Sequence, residues 1–278
     1  MATTMTMMTS PARSVGDLLR EWRERRRLSQ MALALDAEVS TRHLSFLETG
    51  RARPSREMLL RLAEHLSIPL RERNTMLLAA GYAPAYPERP IDDPALTTAR
   101  EVIERVLTGH EPYPALAVDR HWTLVAANRA VAPLLAGLPA AMVQPPVNVL
   151  RLSLHPQGMA PRIANLRQWR DHLLTRLERQ VELSADPVLK ELLAELKGYP
   201  AADLQPERDQ AARDQGLSGL TGVAVPLSLQ TEHGLLSFIS TTMVFGTPVD
   251  VTLSELAIES FFPANQETAE VLRWLAED

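Results

Sequence analysis

The run L-S-Q-M-A-L-A-L-D-A-E-V-S-T-R-H-L-S-F-L-E-T-G-R-A-R-P-S, Leu28–Ser55, limits what this chain can fold into more than any other stretch. Ser29 and Ser40 each stand just before residues with apolar side chains at helical spacing. A serine there accepts a hydrogen bond from the N–H groups that a helix start leaves unpaired. The first short helix carries Met31, Ala32, Leu33 and Leu35. The second carries Leu44 and Leu47 and stops before Gly50, a residue that readily takes the left-handed backbone of a helix end. Two helices and a turn fit into residues 29–48, the dimensions of a helix-turn-helix, with Ala32, Leu33, Val39, Leu44 and Leu47 holding the helices together.

The flanks extend the pattern. Val15, Leu18, Leu19 and Trp22 lie at helical spacing ahead of it, followed by Arg23, Arg25, Arg26 and Arg27, which read as an exposed basic cluster. Pro54-Ser55 opens a further helix with Met58, Leu59, Leu62 and Leu66 inward, and Pro69 begins one that holds Met76 and Leu77 and ends at Gly81. Residues 14–81 therefore predict an all-α bundle of five helices. Residues 1–13 read as a disordered tail, with neither the basic start nor the apolar segment of a signal peptide.

Thr41, Arg42 and Ser45 project from the front of the second short helix, with Ser40 at its cap and His43 to one side. Arginine can bond O6 and N7 of guanine together, and threonine can offer its methyl to thymine. Gln30, Arg51, Arg53 and Arg56 are placed to hold phosphates and fix register on double-stranded DNA. By periodicity alone, the same polar residues also fit the solvated surface of an ordinary bundle. Charge is distributed unevenly: residues 1–82 sum to +4 and the remainder to −9, for a net −5. A basic head on an acidic body suits a small nucleic-acid-binding module joined to a larger partner domain.

The larger part reads as α+β with an antiparallel sheet. Residues 82–95 contain four prolines and read as a linker, leaving 96–278 as the second domain. A helix near 95–108 precedes two short strands, Leu116–Val118 and Trp122–Ala126, around the Asp119-Arg120 turn. Residues 161–197 carry two amphipathic helices broken near Ala185-Asp186-Pro187. Val223–Gln230 and Leu235–Phe245 are β-rich and joined by a turn at Thr231–Gly234, which predicts a hairpin. Glu255–Phe262 fits a strand or a helix, and a last helix spans about 264–276.

Composition excludes several classes. The chain has no cysteine, hence no disulfide framework and no thiolate metal site. No apolar run approaches the ~20 residues of a membrane helix, so a cytoplasmic protein is expected. The one His-Glu pair, His110-Glu111, lacks the second histidine of a zinc-peptidase helix. No nucleophile elbow or glycine-rich phosphate loop occurs. Glu255 and Glu259 would share a face if their segment were helical, but a solvated pair is the better reading than an acid-base pair. No catalytic site, metal or cofactor is expected.

Two resemblances sharpen this. The run L-S-Q…V-S…L-S-x-L-E-x-G-R-x-x-P-S resembles the xenobiotic-response-element family of phage-repressor-like transcription regulators over residues 14–70. That family commonly has glycine in the turn between the helices, where this chain has Glu38; a left-handed Glu38 would cost roughly 1 kcal/mol and alter the aim of the following helix. The segments PYPALAVDRHWTLVAANRAVAPLL, NLRQWRDHLL and FGTPVDVTLSELAIESFFPANQETAEVLR resemble the ligand-binding domain of MmyB-type regulators over about 100–275. That resemblance implies a PAS-like fold, a small antiparallel sheet with helices over one face, enclosing an apolar cavity for a long-chain fatty acid or similar lipid.

Trp122, Leu124, Trp169, Leu173, Phe238, Met243 and Phe245 are candidates for the ligand-binding wall, with His155, Arg162, Arg167 or Arg170 as the cation for a carboxylate. An apolar stripe of this kind is more often ordinary core, and arginines on helices are more often solvated. The expected function is a bacterial, sequence-specific, homodimeric transcription regulator controlled by an apolar small molecule. The alternative is a constitutive regulator whose second domain only dimerises or binds protein partners.

Overall fold

A computed structural model describes residues 13–200 and 224–277. Most of the tail expected over 1–13, and Val223 of the expected β-run, lie outside the described residues. The chain forms two compact units, one of residues up to 88 with 249–251, the other of 89–248 with 252–278.

The first unit holds α1 (Val15–Arg25), α2 (Gln30–Asp36), α3 (Thr41–Glu48), α4 (Arg56–His65) and α5 (Leu70–Ala79). Ser14, Ser29, Ser40 and Ser55 each accept a backbone N–H from the first turn of the helix they precede, as N-cap chemistry predicts. The core is Leu19, Leu33, Leu44, Leu47, Leu59, Leu62, Leu66, Met76 and Leu77, all essentially buried. On α2 the buried face is Leu33 and Ala34, whereas Met31 and Leu35 are exposed. Helix α1 lies so close to α3 that a Cβ on Gly16 would stand 2.6 Å from the Leu47 carbonyl oxygen. The proline-rich run begins as part of this unit. The Tyr82 hydroxyl donates to the Pro54 carbonyl (3.0 Å), and the Asn74 side chain bonds the backbone of Ala85 and Tyr86.

Glu38 is left-handed, φ +55°, as are Arg27 and Ser67 after α1 and α4. The Val39 N–H reaches back to the Ala34 carbonyl (2.8 Å), so Glu38 sits in a helix-ending turn that glycine would occupy at lower cost.

The second unit is built on a five-stranded antiparallel sheet in the order β2-β1-β5-β4-β3. Its strands are β1 (Ala115–Val118), β2 (Leu124–Ala127), β3 (Leu227–Thr231), β4 (Gly234–Val244) and β5 (Ala257–Pro263). The ambiguous Glu255–Phe262 segment is therefore mostly strand, so Glu255 and Glu259 share no helix face. The reason is partnership: β5 pairs with β1 on one side and β4 on the other. The Thr231–Gly234 hairpin forms as read.

The helices are α6 (Thr97–Gly109), α7 (Ala132–Leu135), α8 (Ala140–Val143), α9 (Val149–Leu154), α10 (Leu166–Ser184), α11 (Pro187–Gly198), α12 (Val251–Ser254) and α13 (Gln266–Glu277), of which Val251 falls in the first unit. Both sheet faces are covered, contrary to the single covered face expected. On one face Val118, Leu229, Leu236 and Phe238 join a core with Trp169, Leu173 and Leu177 of α10 and with Leu189, Leu192 and Leu196 of α11. Alternation along the strands sends Ala115, Ala117 and Ile258 to the other face, where Ile103 and Leu107 of α6 bury them.

Candidate nucleic-acid interface and ligand cavity

Helix α3 is anchored from below by a buried charge network. Glu48, 2% exposed, accepts from Arg23 at both carboxylate oxygens (2.6 and 3.0 Å) and from the Gln30 side chain (2.7 Å). Arg23 also donates to the Leu28 carbonyl (2.8 Å), tying α1, the start of α2 and the end of α3 into one piece. Burial pushes the Glu48 carboxyl upward, but the bonds from Arg23 and Gln30 and the charges of Arg23 and Arg20 outweigh it and hold it below its ordinary value. The expected exposed basic cluster thus turns partly inward: Arg23 is buried, and Arg26 donates to the carbonyls of Leu66 and Ser67 at the end of α4. Gln30, expected on a phosphate, has its amide committed to Glu48.

The outer face of α3 is free of such ties. Ser40 is occupied as the cap, its Oγ accepting the His43 N–H at 3.1 Å. Thr41 and Arg42 are exposed at the first turn, His43 and Ser45 are half-buried, and Arg51, Arg53 and Arg56 are exposed on the following loop and helix start. Phe46, which the sequence reading passed over, is half-buried, with the guanidinium groups of Arg42 and Arg51 over its ring at 5.3 and 6.0 Å. The ring supports the two cations while leaving their donors outward.

In the second unit a partly open, largely apolar cavity of about 120 Å³ lies between the sheet and α9–α10. Of the wall residues expected, Trp122, Leu124, Trp169, Leu173 and Phe238 line it. Met243 is half exposed near the end of β4, and Phe245 packs with the α6 cluster on the opposite face. The expected cations are elsewhere. Arg162 bonds the Ala136 carbonyl (2.8 Å), Arg170 bonds the Lys197 carbonyl near the end of α11 (3.0 Å), His155 meets the Tyr199 ring edge-on, and Arg167 is exposed.

Among the described residues the charged groups at the cavity are Arg176 and Glu259, beside the hydroxyls of Ser153 and Ser240. Arg176 donates to Glu259 and to Thr242 (2.9 Å), and Thr242 donates to Glu259 (3.0 Å). Arg176 was legible in principle, because it follows Trp169 and Leu173 at helical spacing on α10 and so shares their face. Its guanidinium stands 4.5 Å from the Trp122 ring centre. Trp122 is itself left-handed, φ +66°, an uncommon backbone for a bulky side chain. It is fixed by its indole N–H on Gln180 (2.8 Å), by the bond from Gln180 to the Arg120 carbonyl, and by the bonds to Asp119 from His121 and Thr123. Trp122 and Arg176 also line an open groove of about 800 Å³, together with His172, Arg179 and Glu255. Burial, with Arg176 and Arg179 nearby, holds the His172 imidazole below its ordinary value.

Residues 99–275 match the MmyB-like transcription regulator ligand binding domain. The chain belongs to the MmyB-like regulator family. Residues 14–76 of this MmyB-like regulator match a helix-turn-helix domain. It is also similar to the clp gene regulator ClgR from Corynebacterium glutamicum, at 28% identity over 35% of this chain and 90% of that one, with a TM-score of 0.22. No curated protein matches it. The MmyB-like regulator is a transcription regulator with a helix-turn-helix and a ligand-binding domain, not an enzyme.

Proposed function

We propose that this MmyB-like regulator reads a specific operator with the front of α3 and does so as a homodimer under the control of a small apolar molecule. The observation that carries the reading is the exposure of Thr41 and Arg42 on a helix whose inner face, Leu44, Leu47 and Glu48, is wholly buried. A rigid helix with free polar donors at its start suits the major groove, and a two-fold pair of such helices would span two half-sites about 34 Å apart. Arg51, Arg53 and Arg56 are suited to phosphates.

The largely apolar cavity supports the sensor half, and its seat between an antiparallel sheet and helices supports a PAS-like assignment. At about 120 Å³ it is smaller than the roughly 300–1,000 Å³ of sites that enclose a drug-sized ligand. The reading also implies a bacterial, cytoplasmic protein.

Selection of bound sequences from a random DNA pool tests the reading. Wild type should enrich one site, while the double variant Thr41→Ala, Arg42→Ala keeps weak, salt-sensitive binding without enrichment. Enrichment of the same site by the variant would rule out α3 as the reader.

A further inference from the structure

We infer that Phe46 is a specificity-determining residue, its ring taking the 5-methyl group of a thymine next to the base that Arg42 contacts in the major groove. The inference rests on the operator reading above and adds a second kind of reader to the same face of α3.

The turn of the helix sets the position. Leu44, Leu47 and Glu48 point into the core of the first unit. At about 100° per residue, the direction opposite to these three falls between Arg42 and Phe46, which stand one helical turn apart. Phe46 is half-buried, whereas Leu44 and Leu47 are 0% and 1% exposed. A large apolar ring therefore stands at the middle of the outward face, beside the polar side chains that face offers to DNA.

The ring is also fixed. The guanidinium groups of Arg42 and Arg51 lie over it. The Phe46 carbonyl accepts the N–H groups of Arg51 (2.9 Å) and Ala52 (3.1 Å), so the loop that carries Arg51 is fastened to the same residue. Supporting two cations is one use for such a ring. The groove supplies another. Base edges there present donors, acceptors and one apolar group, the thymine methyl, and a phenylalanine on the reading face has that single partner of its own kind. One helical turn advances about 5.4 Å and one base pair about 3.4 Å. The thymine thus lies one or two base pairs from the base that Arg42 contacts.

Uracil substitution tests this in the full-length protein. Each thymine of the site selected by wild type is replaced in turn by uracil, which pairs alike and lacks only the methyl. At least one replacement should weaken wild-type binding about fourfold. The same replacement should change the binding of Phe46→Gln by less than about 1.5-fold, while Thr41→Ala keeps the full effect and Phe46→Leu keeps part of it. A ring that only supports the arginines would show no uracil effect, whatever Phe46→Gln does to affinity. A selected site without any uracil effect in wild type, or an effect that persists in Phe46→Gln, would overturn the inference and leave α3 as the reader. If wild type selects no site, the operator reading falls and the inference falls with it. The wild-type scan and Phe46→Leu decide the matter even if Phe46→Gln does not fold.

Discussion

Glu48 ties the helix-turn-helix unit together, because it is a buried carboxylate shared by three segments. Replacing it with alanine strands Arg23 in the core, and losing one partner of a buried pair costs about 3 kcal/mol or more. Urea unfolding of the first unit should show that loss. The pH response has a definite sign. The Glu48 carboxyl is held below its ordinary 4.5, so its contribution is complete above that value and is lost as pH falls through the lower folded-state value. The urea midpoint of the first unit should therefore be level from pH 7 to about 5 and drop below 4.5, and Glu48→Gln should flatten that drop. Neither role was legible in the sequence. Arg23 and Gln30 looked like outward cation and phosphate contact because helical spacing cannot reveal a carboxylate that arrives 25 and 18 residues later.

At the scale of the elements, the helices of the first unit are set by local chemistry. Four serine caps and the leucine periodicity fix where α1–α4 begin and which face turns in; the caps Ser29 and Ser40 and the opening at Pro54-Ser55 were read in advance, whereas the cap at Ser14 was not. Two junctions offer sharp tests. Glu38 ends α2 in a left-handed backbone, so Glu38→Gly should stabilise the first unit by about 1 kcal/mol, read as a higher thermal midpoint. Gly16 lets α1 touch α3, and a methyl there would meet two backbone carbonyls at 2.6 and 2.7 Å. Gly16→Ala should cost about 1–3 kcal/mol by forcing the helices apart, and it should weaken operator binding by tilting α3. The β5 segment was ambiguous for the converse reason: a short apolar run takes its conformation from partners, here β1 and β4, that are distant in sequence.

On the scale of the whole molecule, two units with separate cores carry the two halves of the function. The division into a basic, all-α head and an acidic α+β body was visible in charge and periodicity. The cavity was only half visible. Its aromatic wall could be guessed from apolar side chains at strand and helix spacing. Its ion pair joins α10 to β5 across 83 residues, and no local pattern records that. The central claim is that occupancy of the body changes the hold of the head on DNA. The direct measurement is the affinity of the full-length protein for its selected operator, by fluorescence anisotropy at fixed salt, without sodium laurate and with the cavity saturated by it as judged by tryptophan fluorescence. A change of about fivefold or more, in either direction and absent in Leu173→Trp, which fills the cavity, is the predicted result. Equal affinities with the cavity empty and full would contradict it.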